Sequence, residues 1–452
     1  MGRQCAGPVG LRGEVQLDTL IPSHGRKPIS IERPAIRAVL FEHVEEAVHL
    51  RKLRSVLVRE PHVGLLHLSR LDERIEAHLD GLAVAGDRGV KIQEQALERP
   101  GAGEVFVATV GAICSRDSRR LGTLLAIAEA LPVCRAGALS AFGWVSAVQL
   151  KGITNGLLES TSPWSREVAL AACAMHGVDS GDFLANALDD PNSRLRARTL
   201  RAAGRVGRVD LVDHCLGHLA DDDAQCAFEA ARSSVLLGDR NLSISALETL
   251  AHTSDPGDKI AQSAFRFVLL LVSTERARAA LSILAKDSAQ IRRLMHGIAV
   301  AGDTHYVPWL IGQMADLKLA RLAGETFSFI TGLDLAQLGL DRTPPDKLEF
   351  GPNDDPNDDA VAMDEDDGLP WPDPQKISAW WHANGHKFRA GTRYFMGEPP
   401  STAHCISVLK SGFQRQRIAA AEYLSLLRPG TPVFNVAAPA RRQQRLLANM
   451  VA

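Results

Sequence analysis

The sequence predicts an all-α protein whose centre is an α-solenoid of stacked helix pairs, flanked by an N-terminal helical cap and a C-terminal helical unit. Two sets of turn and helix-start signals repeat in phase, and the composition agrees with them. Of 452 residues, 45% are hydrophobic and only 5% aromatic, with leucine and alanine dominating the apolar set. That balance suits helices packed closely through small side chains better than sheets, which draw on aromatic and β-branched residues.

The first signal is a short turn holding glycine and a nearby aspartate: Gly177–Val178–Asp179, Gly207–Arg208–Val209–Asp210, Gly238–Asp239, Gly302–Asp303 and Gly332–Leu333–Asp334. Successive glycines lie 30, 31, 64 and 30 residues apart, the long interval being two periods with a degraded copy near Ser273. Glycine enters the left-handed region at a helix end without a Cβ clash. The second signal marks helix starts at Ser162–Pro163, Asp190–Pro191, the Asp221–Asp223 run, Asp255–Pro256 and Asp287. Such residues cap free amides, and proline is tolerated in the first helical turn. Helical stripes follow, as in Val168, Ala171, Ala172 and Met175, or Ile291, Leu294, Met295 and Ile298. After each glycine a second helix is expected, for example from Val209 to Leu219 and from His305 to Met314. A single pair cannot bury its apolar stripe, so neighbouring pairs must stack.

The flanks set the domain limits. Residues 1–34 lack periodicity and read as a poorly ordered extension. Residues 35–100 hold the cap, whose second helix carries Leu68, Leu71, Ile75, Leu79 and Leu82 on one face. The repeat array occupies 101–340. Residues 341–376, with an acidic run from Asp354 to Asp367 and many prolines, read as a solvated linker. Residues 377–452 form the C-terminal helical unit, with a further repeat at Ser401 to Arg428.

Bulk properties exclude several function classes. The formal net charge is −2, so no global basic field exists to hold nucleic acid or an anionic membrane. Seven scattered cysteines with no CxxC fit reduced thiols and a cytoplasmic location. No apolar run reaches membrane-spanning length, and no signal-peptide pattern opens the chain. Serine-elbow, HExxH, P-loop and dinucleotide-turn motifs are all missing, so the expectation is a protein without catalytic residues, cofactor or metal.

One pattern stands out. Arg194, Arg198, Arg201, Arg205 and Arg208 fall at helical spacing and predict one cationic ridge. Arginine forks pair bidentately with carboxylates or phosphates, which points to an acidic protein partner; a solvated face paired with Asp189, Asp190 or Asp221–Asp223 is the plainer reading. Trp380 and Trp381 are a second candidate contact, against the plainer reading of domain anchors. His214 and His218 have zinc-ligand spacing, with Cys215 and Cys226 near, but ordinary helix packing is the plainer reading.

The stretches Arg194-Leu-Arg-Ala-Arg-Thr-Leu-Arg-Ala-Ala-Gly204 and Arg417-Ile-Ala-Ala-Ala-Glu-Tyr-Leu424 resemble HEAT and phycobilisome-lyase-type repeats. Leu71-Asp-Glu-Arg-Ile-Glu-Ala-His-Leu-Asp-Gly-Leu82, Phe327-Ser-Phe-Ile-Thr-Gly332, Trp380–Trp381, Arg393-Tyr-Phe-Met-Gly397 and Gln414-Arg-Gln-Arg417 are similar to motifs of a family of uncharacterised bacterial HEAT-repeat proteins often encoded beside type VI secretion genes. Together they run from about residue 40 to the C-terminus. The resemblance implies HEAT-like helical hairpins and a non-catalytic scaffold, an adaptor or immunity protein of that secretion system. A HEAT-like DNA-binding protein or DNA glycosylase is the alternative from another class, and a bilin lyase a weaker one.

Overall fold

A computed structural model describes residues 36–252, 257–345 and 364–450. Among these residues the chain is helical, with isolated bridges but no strand. No helix among them is long and apolar enough to cross a membrane. The proposed disordered extension at 1–34 lies outside the described residues, as does most of the acidic run.

The cap consists of α1 (Arg37–Leu57), α2 (Leu65–Val84) and α3 (Asp87–Ala96). Leu40, Val44, Ala47 and Leu50 recur at helical spacing on α1 and join Leu71, Ile75 and Leu82 of α2 in one core. The array then runs unit by unit. It opens with α4 (Ala102–Cys114) and α5 (Ser118–Ala130), then α6 (Pro132–Trp144) with a broken partner, α7 (Ala147–Leu150) and α8 (Ile153–Leu158). Next come α9 (Pro163–His176) with α10 (Asp182–Asn186), and α11 (Ser193–Val206) with α12 (Val212–Gly217). They are followed by α13 (Ala224–Leu237) with α14 (Leu242–Ala251), and α15 (Lys259–Leu271) with α16 (Thr274–Leu284). The last are α17 (Ile291–Ala301) with α18 (Val307–Gln313), and α19 (Ala320–Thr331). Each first helix packs on the first helix of the next unit, from α4 through α6, α9, α11, α13, α15 and α17 to α19, which makes this an α-solenoid.

The turn glycines end these helices as expected, with φ of +68° at Gly177, +84° at Gly207, +119° at Gly238, +63° at Gly302 and +74° at Gly332. In the degraded copy Val272 is extended and Ser273 caps α16 instead. Two helix starts are displaced from the sequence reading. Asn192, not Asp190, caps α11, because Asp190 turns the chain by accepting from the Asn192 amide. Asp258 caps α15.

The C-terminal unit comprises α20 (Pro374–Asn384), α21 (Thr402–Ser411), α22 (Gln414–Leu427) and α23 (Ala440–Ala448). Its α21–α22 hairpin has the form of a repeat but does not extend the row; it lies against the inner side of the curved array. The segment entering it bonds to successive turns: the Tyr394 amide donates to Gly302 O at 2.7 Å and the Gly397 amide to Ile330 O at 3.0 Å. Beyond α22, the Gly430 amide donates to Leu236 O at 3.0 Å and the Val433 amide to Arg205 O at 2.9 Å. It then reaches the cap, where the Gln414 amide meets Val63 O at 2.8 Å and the Ala440 amide meets Asp72 Oδ2 at 2.7 Å. One unit thus touches the cap, the middle and the last helix, which requires the row to curve around it.

The described end of the acidic stretch corrects the expectation of a solvated linker. Asp366 is only 4% exposed and pairs with Arg292 of α17 at 2.6 Å, while Asp364 pairs with Arg321 of α19 at 2.7 Å. Buried carboxylates are stable there because each has a guanidinium counter-charge.

Candidate arginine and glutamate site on the inner row

The first helices carry charge at a fixed register. Six residues before the helix-ending turn stand Arg201 on α11, Arg232 on α13 and Arg266 on α15. Three residues earlier, α11 has Arg198 and α13 has Glu229. Helices stacked in register bring these positions side by side, so the charges form a ladder across the row. Arg194 Nε donates to Glu167 Oε2 at 2.8 Å and Arg198 Nη2 to Glu167 Oε1 at 3.1 Å. Arg201 and Arg232 both approach Glu229, at 3.5 Å each. The two carboxylates are each 3% exposed, whereas the side chains of Arg194 and Arg201 remain 47% and 40% exposed. Arg194 also lies over the Trp164 ring at 5.6 Å from its centroid.

Arginine outnumbers carboxylate in this ladder. Arg205, one turn beyond Arg201, makes no ion pair among the described residues; burial, reinforced by the like charges of Arg201 and Arg232 and opposed by Glu229, pulls its pKa down to about 9. Burial also lowers the Arg201 guanidinium and raises the Glu167 carboxyl, the latter opposed by Arg198. The Nε atoms of Arg198, Arg201 and Arg205 are shielded from solvent and make no hydrogen bond. Between α9, α11 and α13 an open cleft of about 370 Å³ is lined by Glu167, Arg194, Arg198, Arg201 and Glu229. On α15 and α19 the equivalent inner surface is occupied by the C-terminal unit: Arg266 pairs with Glu422, and Glu325 with Arg415 at 2.8 Å, both partners on α22.

The structure alters the five-arginine ridge in two ways. Arg208 leaves it, because Gly207 ends α11 in the left-handed region, and its guanidinium instead joins Asp210 at 2.6 Å and Asp179 at 3.0 Å. Of the remaining four, Arg194 and Arg198 face Glu167 and Arg201 faces Glu229, carboxylates of neighbouring first helices rather than Asp189, Asp190 or the Asp221–Asp223 run. That run serves Arg196, which is off the ridge and bonded to Asp221 at 2.7 Å. Glu167, Glu229 and Arg232 were missed by sequence reasoning. For Glu229 and Arg232 the available signal was charge nine and six residues before the turn glycine, as at Arg198 and Arg201; Glu167, ten residues before Gly177, follows neither spacing.

Trp380 and Trp381 are half-buried and pack edge-on against Phe327 of α19, with ring centroids at 6.1 Å and 6.5 Å. They anchor α20 on the last repeat helix. The nitrogens of His218 lie 3.0 Å from Asp189 and 3.2 Å from Asp221. The Cys226 thiol donates to Ser193 O, and burial pushes both Cys215 and Cys226 up to about 12. No protein-family model matches the chain, and no curated protein matches it.

Proposed function

We propose that the chain is a non-catalytic scaffold that holds another protein by an acidic surface, with Arg194, Arg198 and Arg201 as the contact. The observation that carries this reading is the uncovered cleft between α9, α11 and α13. The same inner surface is filled by α22 farther along the row, yet here the side chains of Arg194 and Arg201 stay partly exposed and the arginines outnumber their two buried carboxylates. Arginine is enriched at the energetic centres of protein interfaces, and its fork matches a carboxylate pair.

The motif resemblance supports a bacterial, cytoplasmic setting beside a type VI secretion system, as an adaptor or an immunity protein. The C-terminal unit stands in the inner groove where a nucleic-acid cradle would need space, which, with the near-neutral charge, favours a protein partner over DNA. Affinity capture of the tagged chain from its host, followed by mass spectrometry, identifies the partner. A captured protein whose binding falls with salt and with Arg194→Glu supports the proposal. Salt-dependent retention of DNA with no captured protein would replace it with the DNA-binding alternative.

A further inference from the structure

A second cavity of about 370 Å³ opens on the outer side of the array, walled by α5 and α8. Its origin lies in the sequence: the second half of this unit is broken at Lys151–Gly152, where Gly152 has φ of +85°, so the six-residue α8 fills less space than a full helix. The walls are Leu121, Leu125, Ile153 and Leu157. Gly122 and Gly156 also line it, and a Cβ built on either meets nothing within 4 Å. Glycine inside a helix is unfavourable relative to alanine, and at these two positions close packing does not require it.

The rim is cationic. Arg116 and Lys151 line the opening, and among the described residues neither has a carboxylate within ion-pair distance. The Asp117 carboxylate at the same rim accepts from the Arg120 amide and caps α5. Arg116 has φ of +58°, standing in the left-handed position that glycine fills at the later turns. An arginine there is strained, and its guanidinium is held over the opening by Val148 O and Lys151 O. An apolar slot with a few convergent polar groups is the usual form of a small-molecule site, and this volume is within the common range.

We propose that this slot binds a small amphiphile with an aliphatic tail and a carboxylate head. The tail would lie on Leu121, Leu125, Ile153 and Leu157 in the space left by the two glycines, with the head between Lys151 and Arg116. Charge complementarity selects an anionic head over a neutral or cationic one. This site is independent of the arginine cleft and of the partner proposed for it.

Calorimetric titration of the full chain with decanoate tests the proposal, with decyltrimethylammonium as the cationic counterpart. The expected result is saturable, one-to-one binding of decanoate and none of the cation. Lys151→Glu should weaken decanoate binding at least tenfold, and Gly156→Leu should abolish it while helicity and melting temperature hold. Gly122→Leu fills the slot from the other wall and serves if Gly156→Leu unfolds. The absence of saturable decanoate binding, equal binding of both head groups, or indifference to both filled variants would each overturn it.

Discussion

Arg415 donates to Glu325 at 2.8 Å, joining α22 of the C-terminal unit to the last helix of the array. Its Nε also reaches Arg59 O in the cap at 3.2 Å, so one side chain ties the first and last parts of the row together. Burial raises the Glu325 carboxyl, and the Arg415 charge opposes that rise. Removing Arg415 would leave a buried carboxylate without its partner, a defect worth on the order of 3 kcal/mol. Arg415→Ala is therefore expected to lower the unfolding midpoint in denaturant. Adding Glu325→Gln should recover much of the loss, because the stranded charge is gone. Equal stability of Arg415→Ala and the parent would show that the tie contributes nothing.

The turn glycines separate into two classes. At Gly207 a Cβ would sit 2.1 Å from Gly430 O, whereas at Gly177 it would meet nothing within 4 Å. Both have positive φ, so alanine costs about 1 kcal/mol at either through backbone strain alone. Gly207→Ala must also push the C-terminal unit off the row and should cost clearly more than Gly177→Ala. Matched losses in chemical denaturation would mean that the C-terminal unit does not press on the turns.

Glu167 supplies a pH dependence. Its folded pKa is raised by burial above its unfolded value, so between the two the native state holds the proton more tightly. Its contribution is present below the unfolded pKa and is lost as pH rises through the folded one. Across that window, starting near pH 4.5, the parent should lose stability relative to Glu167→Gln as pH rises. The reverse slope in paired denaturation curves would show that Arg194 and Arg198 dominate over burial.

The array was legible because each unit needs a helix stop and a helix start, and glycine, serine and aspartate perform those tasks through local backbone chemistry. Gly177, Gly207, Gly238, Gly302 and Gly332 therefore announced the period. The first units were harder to see, since Arg116 occupies the left-handed position without glycine and α6 ends at an extended Val145. The position of the C-terminal unit was legible only in the reading of Trp380 and Trp381 as domain anchors. Its bonds run between backbone groups far apart in the chain, as from Val433 to Arg205, and no local residue preference encodes them. The arginine face was found by spacing, but its partners were not. Glu167 and Glu229 lie on neighbouring helices, and only the stacking register brings them to α11.

The most direct measurement is the association of the captured partner with Arg194→Glu/Arg201→Glu, followed at two salt concentrations. Both side chains are close to half exposed, so the variant should fold and unfold cooperatively like the parent. Glu167 and Glu229 are buried but keep Arg198 and Arg232 as counter-charges, so the variant should remain folded with a lowered unfolding midpoint. Slower association, weaker binding and a reduced salt dependence are the predicted results, since like charges would now meet across the interface. A folded variant that binds the captured partner at the parent rate, with the parent's salt dependence, would contradict the assignment of this face.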